Sequence, residues 1–346
     1  MDTFILIFIT TNFTYSLAIY ITLYPFNNGR YISNSRLILC SIALGAPTTT
    51  TLLFNLITLF PNRSDEFYLS SINYFYLALI FFSTTRIFRR RYYKLNNKTH
   101  ANHLRSAYII FILLLFSFPY LRQYTYNYVT NPLEGHDALV YGVEGKIYYR
   151  DKTFKSKYLG FDEKTGFSYY SLHSPIFPLF LTWEKIFGNK LGYNKDYFFK
   201  IISPFYGILI LCLVYNVLGR NNPSLGILGI CGLFSSTVFF GKYFTYHIDM
   251  FRIYFFTASI VLLALSIETK DLFVIILYAI HLGFSSSAHS IGMILSIIST
   301  FIFFLFLEES LTIRIKYFTM IYCIIFILGG FYYLNDSLWG KGWIFS

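Results

Sequence analysis

Long apolar runs separated by short polar loops make up most of this chain of 346 residues. Ten of the runs are long enough to cross a hydrocarbon core of roughly 30 Å as helices. The pattern therefore predicts an all-α, polytopic transmembrane bundle of about ten spans. The predicted spans are residues 3–25, 37–60, 67–85, 106–121, 199–219, 224–241, 250–267, 271–287, 288–307 and 316–334.

Two segments between the predicted spans break this pattern. Residues 122–172 form the single large hydrophilic stretch, which predicts a large loop outside the membrane, with Glu144 and Lys146 on a solvated helix face. Residues 171–188 read "SLHSPIFPLFLTWEKIFG" and stay apolar for only about 12 positions. That length is too short for a span, so the segment is predicted to be a re-entrant or juxtamembrane helix.

Lysine and arginine set the expected orientation. The loop at 86–105 holds seven Lys and Arg and no acidic residue, which predicts a cytoplasmic position. Alternation of the spans then places residues 27–36 inside the cell. It places residues 61–67, 122–172 and 241–252 outside.

Composition agrees with a membrane protein. Hydrophobic residues make up 55% of the chain and charged residues 13%, and the mean hydropathy is +0.51. Soluble domains carry about twice that share of charge, roughly 25%. The net charge of +11 would suit a nucleic-acid-binding protein. However, the positive charge lies in short loops between apolar runs, so the predicted partner is the bilayer and nucleic acid is excluded.

Two modules are predicted along the chain. Residues 1–105 comprise the N-terminal membrane helices and the basic cytoplasmic loop. Residues 106–346 comprise the remaining helices and the external loop 122–172. The chain stops at the aromatic stretch "WGKGWIFS". We expect it to be a fragment or to be followed by further spans.

Ionisable groups near membrane depth are costly and often mark function. Three groups stand close to predicted outer membrane boundaries, and this shared position predicts a single site. His281, in the third group, is expected to be structural. The groups are Glu134, His136 and Asp137; Lys242, His247, Asp249 and Arg252; and His281 with His289.

The residue types suggest group transfer from a lipid phosphate. A carboxylate such as that of Asp137 or Asp249 can act as general base on an acceptor or can ligate a divalent cation. Lysine and arginine beside it can stabilise a phosphate leaving group.

Motif order supplies a family resemblance over residues 107–307. The stretches are "EGHDALVYGVEGKIYY", "YYSLHSPIFPLFLTWEKIFG" and a span that stops at "LGR" before "GKYFTYHIDMFR". They are followed by "LGFSSSAHSIGMIL". In this order they resemble the GT-C class of membrane glycosyltransferases, most of all the protein O-mannosyltransferases and the bacterial aminoarabinose transferases.

The resemblance implies a catalytic set. Asp137 matches the acidic residue of the first external loop, which serves as catalytic base or metal-associated carboxylate. Asp249 matches the acidic residue of the second loop. The mannosyltransferase Asp-Glu pair reads His136-Asp137 here, so its partner is Glu134 or is absent, with His136 as a possible helper. A divalent cation, Mg or Mn, held by Asp137 and Asp249 would be the cofactor.

The resemblance also implies a donor site and a location. Lys242, Arg252, His289 and His173 would face the phosphate of a polyprenyl-phosphate sugar. The acceptor would be a lipid, a glycan or a protein. The enzyme would lie in a bacterial inner membrane, face the periplasm and take part in cell-envelope polysaccharide biosynthesis.

Other interpretations stay open at the level of sequence. A lipid-linked-sugar flippase or exporter, an O-antigen polymerase or ligase, and a structural membrane scaffold all fit a polytopic chain. Asp249 could be an ordinary helix N-cap. Lys242 and Arg252 could extend to the membrane interface. His173 and His289 could be packing histidines.

Overall fold

The computed structural model describes residues 2–27, 32–90, 136–154, 156, 158, 160–162, 167–169, 175–192, 201–220, 222–243, 248–330 and 332. The predicted span 106–121 lies outside these residues. So do Glu134, His173 and His247.

Helices make up nearly all of the described structure. The first half of the chain contains α1 (Asp2–Leu23), α2 (Asn34–Leu59), α3 (Asp65–Arg90), α4 (His136–Asp151) and α5 (Ile176–Lys190). Between α4 and α5, β1 (Gly160–Asp162) and β2 (Phe167–Tyr169) form an antiparallel pair in which Phe161 lies opposite Ser168.

The second half of the described chain is helical throughout. Helix α12 continues directly into a π-helical turn at Phe326–Gly330. The helices are α6 (Ile202–Leu218), α7 (Pro223–Ser235), α8 (Thr237–Tyr243), α9 (Asp249–Thr269), α10 (Leu272–Ala288), α11 (Ser290–Phe306) and α12 (Leu311–Ile325).

The helices support a membrane protein. Among the described residues, Asn34–Leu59, Asp249–Thr269 and Leu311–Gly330 are long and apolar enough to cross a membrane. Helices α7 and α8 meet at a 68° bend and would count as a fourth span if the bent pair is one crossing. Helices α6, α10 and α11 are apolar with 17 residues each. They rise about 26 Å, slightly less than a hydrocarbon core. The total of about ten crossings stays a prediction.

Helix α4 corrects the prediction for the external loop. Residues 136–151 form a helix, and the side chain of Glu144 on it is buried with 1% exposure, so its predicted solvated position is wrong. Lys146, on the opposite side, is exposed as predicted. Apolar residues recur along "ALVYGVEGKIYY" at helical spacing, so one face packs inward and carries Glu144 with it.

Helices α4 and α5 lie side by side in the same direction. The rings of Tyr141 and Phe177 are 5.2 Å apart. One turn further along, Thr182 Oγ1 donates to the Gly145 carbonyl at 3.0 Å. Helix α5 has 15 residues and rises about 22 Å, so its length agrees with the short helix predicted at 171–188.

The ends of α4 and α5 are tied to the start of α3. Lys152 Nζ lies 2.8 Å from Asp65 Oδ1, and the Tyr149 hydroxyl and the Asn189 amide donate to Asp65 Oδ2 at 3.3 and 3.4 Å. Burial lowers the pKa of Lys152, and the pairing with Asp65 opposes that effect. This side of the bundle is called the Asp65 end below. The opposite side, where α2 begins, is called the Arg36 end.

A second ion pair at the Asp65 end is exposed. Lys190 Nζ lies 2.7 Å from Glu66 Oε1. Its hydrogen bond holds the pKa of Glu66 below the usual range. A lowered carboxyl pKa gives stability that is present above the ordinary pKa and is lost as pH falls through the lowered value. Because both side chains are solvated, the contribution is small.

Replacing Asp65 by asparagine should loosen this end of the bundle. The side chains of Lys152 and Asp65 are only 11% and 27% exposed, so we expect a loss of about 1–2 kcal/mol in the free energy of unfolding. The measurement is unfolding in mixed detergent micelles. Glu66→Gln, next to it in sequence but exposed, is the matched control and should leave the unfolding midpoint unchanged. An equal effect of the two substitutions would contradict the importance of burial here.

Helices α9, α10 and α11 pack closely against one another. Helix α10 runs antiparallel to α9. The ring centroid of Phe255, on α9, lies 5.5 Å from that of His281 and 5.4 Å from that of Phe284, both on α10. A single residue, His289, joins α10 to α11. At Gly292 the helices approach so closely that an added Cβ would lie 2.1 Å from the Ser285 carbonyl oxygen.

Small side chains make this approach possible. Ser286 Oγ donates to Ser296 Oγ at 2.8 Å across the α10–α11 contact. Gly292, Ser296 and Thr300 recur every four residues on the contacting face of α11, a spacing typical of close helix pairs in membranes. The π-helical turn also packs here, where a Cβ on Gly329 would lie 2.6 Å from the Ser286 Cβ.

Candidate functional site

The structure brings together three of the predicted site residues. Lys242 Nζ lies 2.8 Å from Asp249 Oδ2, and Arg252 Nη2 lies 2.7 Å from Asp249 Oδ1. The Asp249 side chain is 12% exposed, that of Arg252 25% and that of Lys242 40%. These three residues are called the charged triad below. Their predicted proximity is confirmed.

Two helices position the triad. Lys242 lies in the last turn of α8, and Asp249 and Arg252 lie one turn apart at the start of α9. Ile248 occupies the N-cap position of α9, so Asp249 is the first residue of the helix. The alternative that Asp249 is simply an N-cap does not fit. Its carboxylate still lies where the helix dipole favours negative charge.

The charges of the triad do not cancel. One carboxylate stands between two cations, which leaves a net charge of about +1 if all three groups are ionised. Arg252 has five N–H donors and uses one of its nitrogens on Asp249, so the group can bind a further oxyanion. Both oxygens of Asp249 face cations at hydrogen-bond distance. A metal ion would therefore have to displace at least one of them.

Tyr206 relates the triad to α2. Its hydroxyl donates to the Ala43 carbonyl at 2.9 Å, and its ring lies 5.0 Å from that of Phe251, two residues after Asp249. Ala43 precedes the end of α2 at Leu59 by 16 residues, or about 24 Å. Asp249 is two residues, or about 3 Å, closer to that end, so the triad lies within the bundle, roughly 20 Å along α2 from the Asp65 end.

His289 lies at the same end of the α9–α10 pair as Asp249, because the two helices are antiparallel. Its Nδ1 accepts a hydrogen bond from the Ile291 amide at 3.1 Å and caps α11. That hydrogen bond satisfies one ring nitrogen of His289 within the protein itself. The predicted role of His289 toward a donor phosphate stays a prediction.

His281 has a structural setting, as expected. It is fully buried and its Nδ1 lies 2.8 Å from the Leu277 carbonyl. The ring packs against Phe255.

The other predicted catalytic residues are placed only in part. His136 and Asp137 form the first turn of α4, at the end remote from Asp65. Their side chains lie outside the part of the chain that the structure describes, as does Glu134. The neighbouring helix α5 touches α9, with Phe180 and Phe251 ring centroids 5.6 Å apart. The helix pair that carries Asp137 thus lies beside the helix that carries Asp249.

A metal centre is not assembled by the described residues alone. Among them, no group of three or more His, Cys, Asp or Glu side chains lies close enough to bind a metal ion. Asp137 and Asp249 as shared ligands remain a prediction.

Glu184 is a buried acidic residue that is not among the predicted site residues. It is 3% exposed and its Oε1 accepts a hydrogen bond from Asn12 Nδ2 at 3.1 Å, which joins α5 to α1. Among the described residues, its Oε2 has no hydrogen-bond partner. Its sequence spacing indicates burial, because Phe177, Phe180 and Glu184 share one face of a helix.

Comparisons with known proteins give no further guide. No protein-family model, no curated protein and no solved structure matches this chain.

Proposed function

We propose that this protein is a membrane glycosyltransferase of the GT-C type. It would move a sugar from a polyprenyl-phosphate carrier to a lipid, glycan or protein acceptor. The reaction would take place on the side of the membrane at the Asp65 end. For a bacterial protein that side is the periplasm, and the membrane is the inner membrane.

The observation that carries the proposal is the charged triad inside an apolar bundle. Three ionisable side chains held roughly 20 Å from the Asp65 end lose part of their hydration, which costs free energy. Two ion pairs at 2.7 and 2.8 Å stabilise the arrangement, and the three groups together carry one more positive than negative charge. A lipid-linked phosphate would compensate that charge and has an apolar tail suited to the bilayer.

The proposed reaction divides the work between two helices. Asp137, on α4, would take the proton from the acceptor hydroxyl or amine. The acceptor oxygen or nitrogen would then form a bond to the anomeric carbon as the bond from that carbon to the phosphate oxygen breaks. Lys242 and Arg252 would stabilise the negative charge that gathers on the departing polyprenyl phosphate. Asp249 would hold both cations in place.

The acceptor would approach over the Asp65 end. There the ends of α4 and α5 are tied to the start of α3 through Asp65, so the helix pair has a fixed position. Glu134, His136, His173 and His289 are the further residues proposed for the site, the first two beside Asp137 and the others toward the phosphate. A divalent cation, Mg or Mn, at Asp137 and Asp249 would be an alternative within the same proposal, in which it would replace at least one cation of the triad at Asp249.

The test uses purified protein in lipid nanodiscs. It is supplied with polyprenyl-phosphate hexoses and pentoses and a lipid extract of the host membrane as acceptor. Release of polyprenyl phosphate is measured by mass spectrometry. We expect release with at least one donor, and a loss of about hundredfold or more in Asp137→Asn, the scale of a removed general base.

Lys146→Gln is the matched control, because Lys146 is exposed on the same helix. It should retain full activity. Full release by Asp137→Asn would contradict its assignment as base. If every donor remained intact while labelled donor crossed the membrane of proteoliposomes, the flippase or exporter interpretation would replace the enzyme.

A further inference from the structure

The carboxyl group of Glu184 lies buried where α5 meets α1. Its Oε1 accepts a hydrogen bond from Asn12 Nδ2 at 3.1 Å. Its Oε2 is also buried and has no hydrogen-bond partner among the described residues. A single neutral donor therefore supports the whole group.

The charge of an ionised Glu184 would have no compensating cation. The neighbouring residue, Lys185, directs its Nζ toward the ring of Tyr149 on α4, 5.3 Å from the ring centroid. None of the ion pairs among the described residues includes Glu184. A carboxylate buried without a cation loses far more hydration energy than a neutral carboxylic acid does. This setting favours the protonated form.

The phenol groups on this side of α5 are engaged with other partners. The ring of Tyr15, on α1, lies 5.6 Å from the tryptophan ring that precedes Glu184, but its hydroxyl donates to Asn73 Oδ1 at 2.8 Å. The ring of Tyr76, on α3, packs against that of Tyr15 at 4.6 Å, and its hydroxyl donates to the Gly45 carbonyl at 3.3 Å. Neither hydroxyl therefore supplies a hydrogen bond to Glu184 Oε2.

A second buried acid, Glu144, lies on the neighbouring helix α4. It adjoins Gly145, whose carbonyl accepts the hydrogen bond from Thr182, two residues before Glu184. Any experiment on Glu184 must therefore distinguish it from Glu144. Other ionisable groups on the helices packed against α5 have partners elsewhere. Among the described residues these are Arg36 on α2, at the Arg36 end, Asp65 and Glu66 on α3, Arg150 and Asp151 on α4, Lys152 just after it, and His281 on α10.

We propose that Glu184 binds a proton and keeps it in the folded protein at neutral pH. The proton is carried by Oε2, because Oε1 already accepts from Asn12. Its release leaves an uncompensated negative charge between α1 and α5 and weakens their contact. Acidic residues inside membrane bundles commonly take part in proton binding. The proposal does not depend on the glycosyltransferase function, since no substrate takes part.

The bound proton makes the stability of the fold depend on pH. Burial raises the pKa of the Glu184 carboxyl to about 8, and the hydrogen bond from Asn12 opposes that effect. A carboxyl whose pKa is raised on folding gives stability that is complete below the ordinary pKa and is lost as pH rises through the raised value. Between about pH 5 and 8 the folded state then holds one more proton than the unfolded state, so this group should raise the equilibrium constant for unfolding about tenfold per pH unit.

The first measurement is unfolding in mixed detergent micelles between about pH 5 and 8. We expect the unfolding constant of the wild type, divided by that of Glu184→Gln, to rise about tenfold per pH unit. Glutamine is neutral and can still accept from Asn12. Glu144→Gln is the matched control, the same change on the neighbouring helix. Compared with the double variant Glu144→Gln/Glu184→Gln, it should show the same rise.

The second measurement is infrared spectroscopy of the folded protein at about pH 6, below the raised pKa. The carbonyl band of a protonated carboxylic acid should be present in the wild type and in Glu144→Gln, and the Glu184 component should be missing from Glu184→Gln. If Glu184→Gln does not fold, Glu184→Met, which is also neutral, replaces it.

Three results would overturn the proposal. One is a wild-type spectrum with no component that disappears on substitution of Glu184. Another is a pH dependence of unfolding that Glu184→Gln leaves unchanged. The third is failure of both neutral variants to fold, because it would show that the fold requires the charge of Glu184.

Discussion

Replacing Gly292 by alanine should cost about 3 kcal/mol in the free energy of unfolding, the upper part of the range for an overpacked core. The added Cβ would lie 2.1 Å from the Ser285 carbonyl oxygen and 2.9 Å from the carbon of the same group. These are backbone atoms, which cannot turn aside as a flexible side chain can. Helices α10 and α11 would have to separate along their length.

The measurement is reversible unfolding in mixed detergent micelles, and Gly232→Ala is the matched control. Gly232 lies in α7, and a Cβ added there meets nothing within 4 Å. Alanine at that position should be neutral or stabilising by up to about 1 kcal/mol, since it is the better helix former. A similar destabilisation by both alanines would show that the close α10–α11 approach is not the cause.

Replacing Asp249 by asparagine should cost about 3 kcal/mol and should also abolish transfer. The asparagine keeps the size of the side chain but removes the negative charge that faces Arg252 and Lys242. Breaking a buried ion pair from one side is strongly destabilising. The largest part of the effect comes from Arg252, whose side chain is 25% exposed, because Lys242 at 40% can turn toward solvent.

Lys242→Met separates the two contributions. Its partner Asp249 keeps the Arg252 contact at 2.7 Å, so we expect a loss of about 1 kcal/mol or less. The double variant Asp249→Asn/Lys242→Met should be less unstable than the sum of the single changes, because both members of one ion pair are removed together. Unfolding in micelles and donor cleavage are both measured. Strict additivity in the unfolding energies would mean that the two residues do not interact.

Much of the helix arrangement could be predicted from the sequence because each helix is a continuous apolar run. The predicted spans 199–219, 271–287 and 288–307 differ from α6, α10 and α11 by three residues or fewer at each end. Such runs end at charged or polar residues, because an apolar environment excludes them. The ends of each helix can therefore be located directly in the sequence.

The positions that depended on packing between helices were not predictable in this way. Helix α4 was hidden inside a charged segment, and only contact with α5 shows that Glu144 faces inward. The bend at Ser236 that divides one predicted span into α7 and α8 has no proline or charged residue to signal it.

The candidate site was predicted in part for the same reason. Lys242, Asp249 and Arg252 lie close in sequence, so a short connection had to keep them close in space. Asn12 and Glu184 are separated by 172 positions, and nothing local indicates that they meet. Sequence spacing alone could not relate Asp137 to Asp249, and the distance between their carboxylates stays a prediction.

The contacts of Asp249 with Lys242 and with Arg252 respond differently to a movement of the helices. Arg252 is on the same helix, so that contact moves with Asp249 as part of one rigid rod. Lys242 is on α8, a separate helix of seven residues that follows the bend at Ser236. Of these two contacts, the one with Lys242 depends on the position of α8 relative to α9, so its length measures the displacement of α8 from α9. The Lys242–Asp249 ion pair therefore joins α8 to α9, whereas the Arg252–Asp249 ion pair lies within α9 and is unaffected by a relative motion of the two helices.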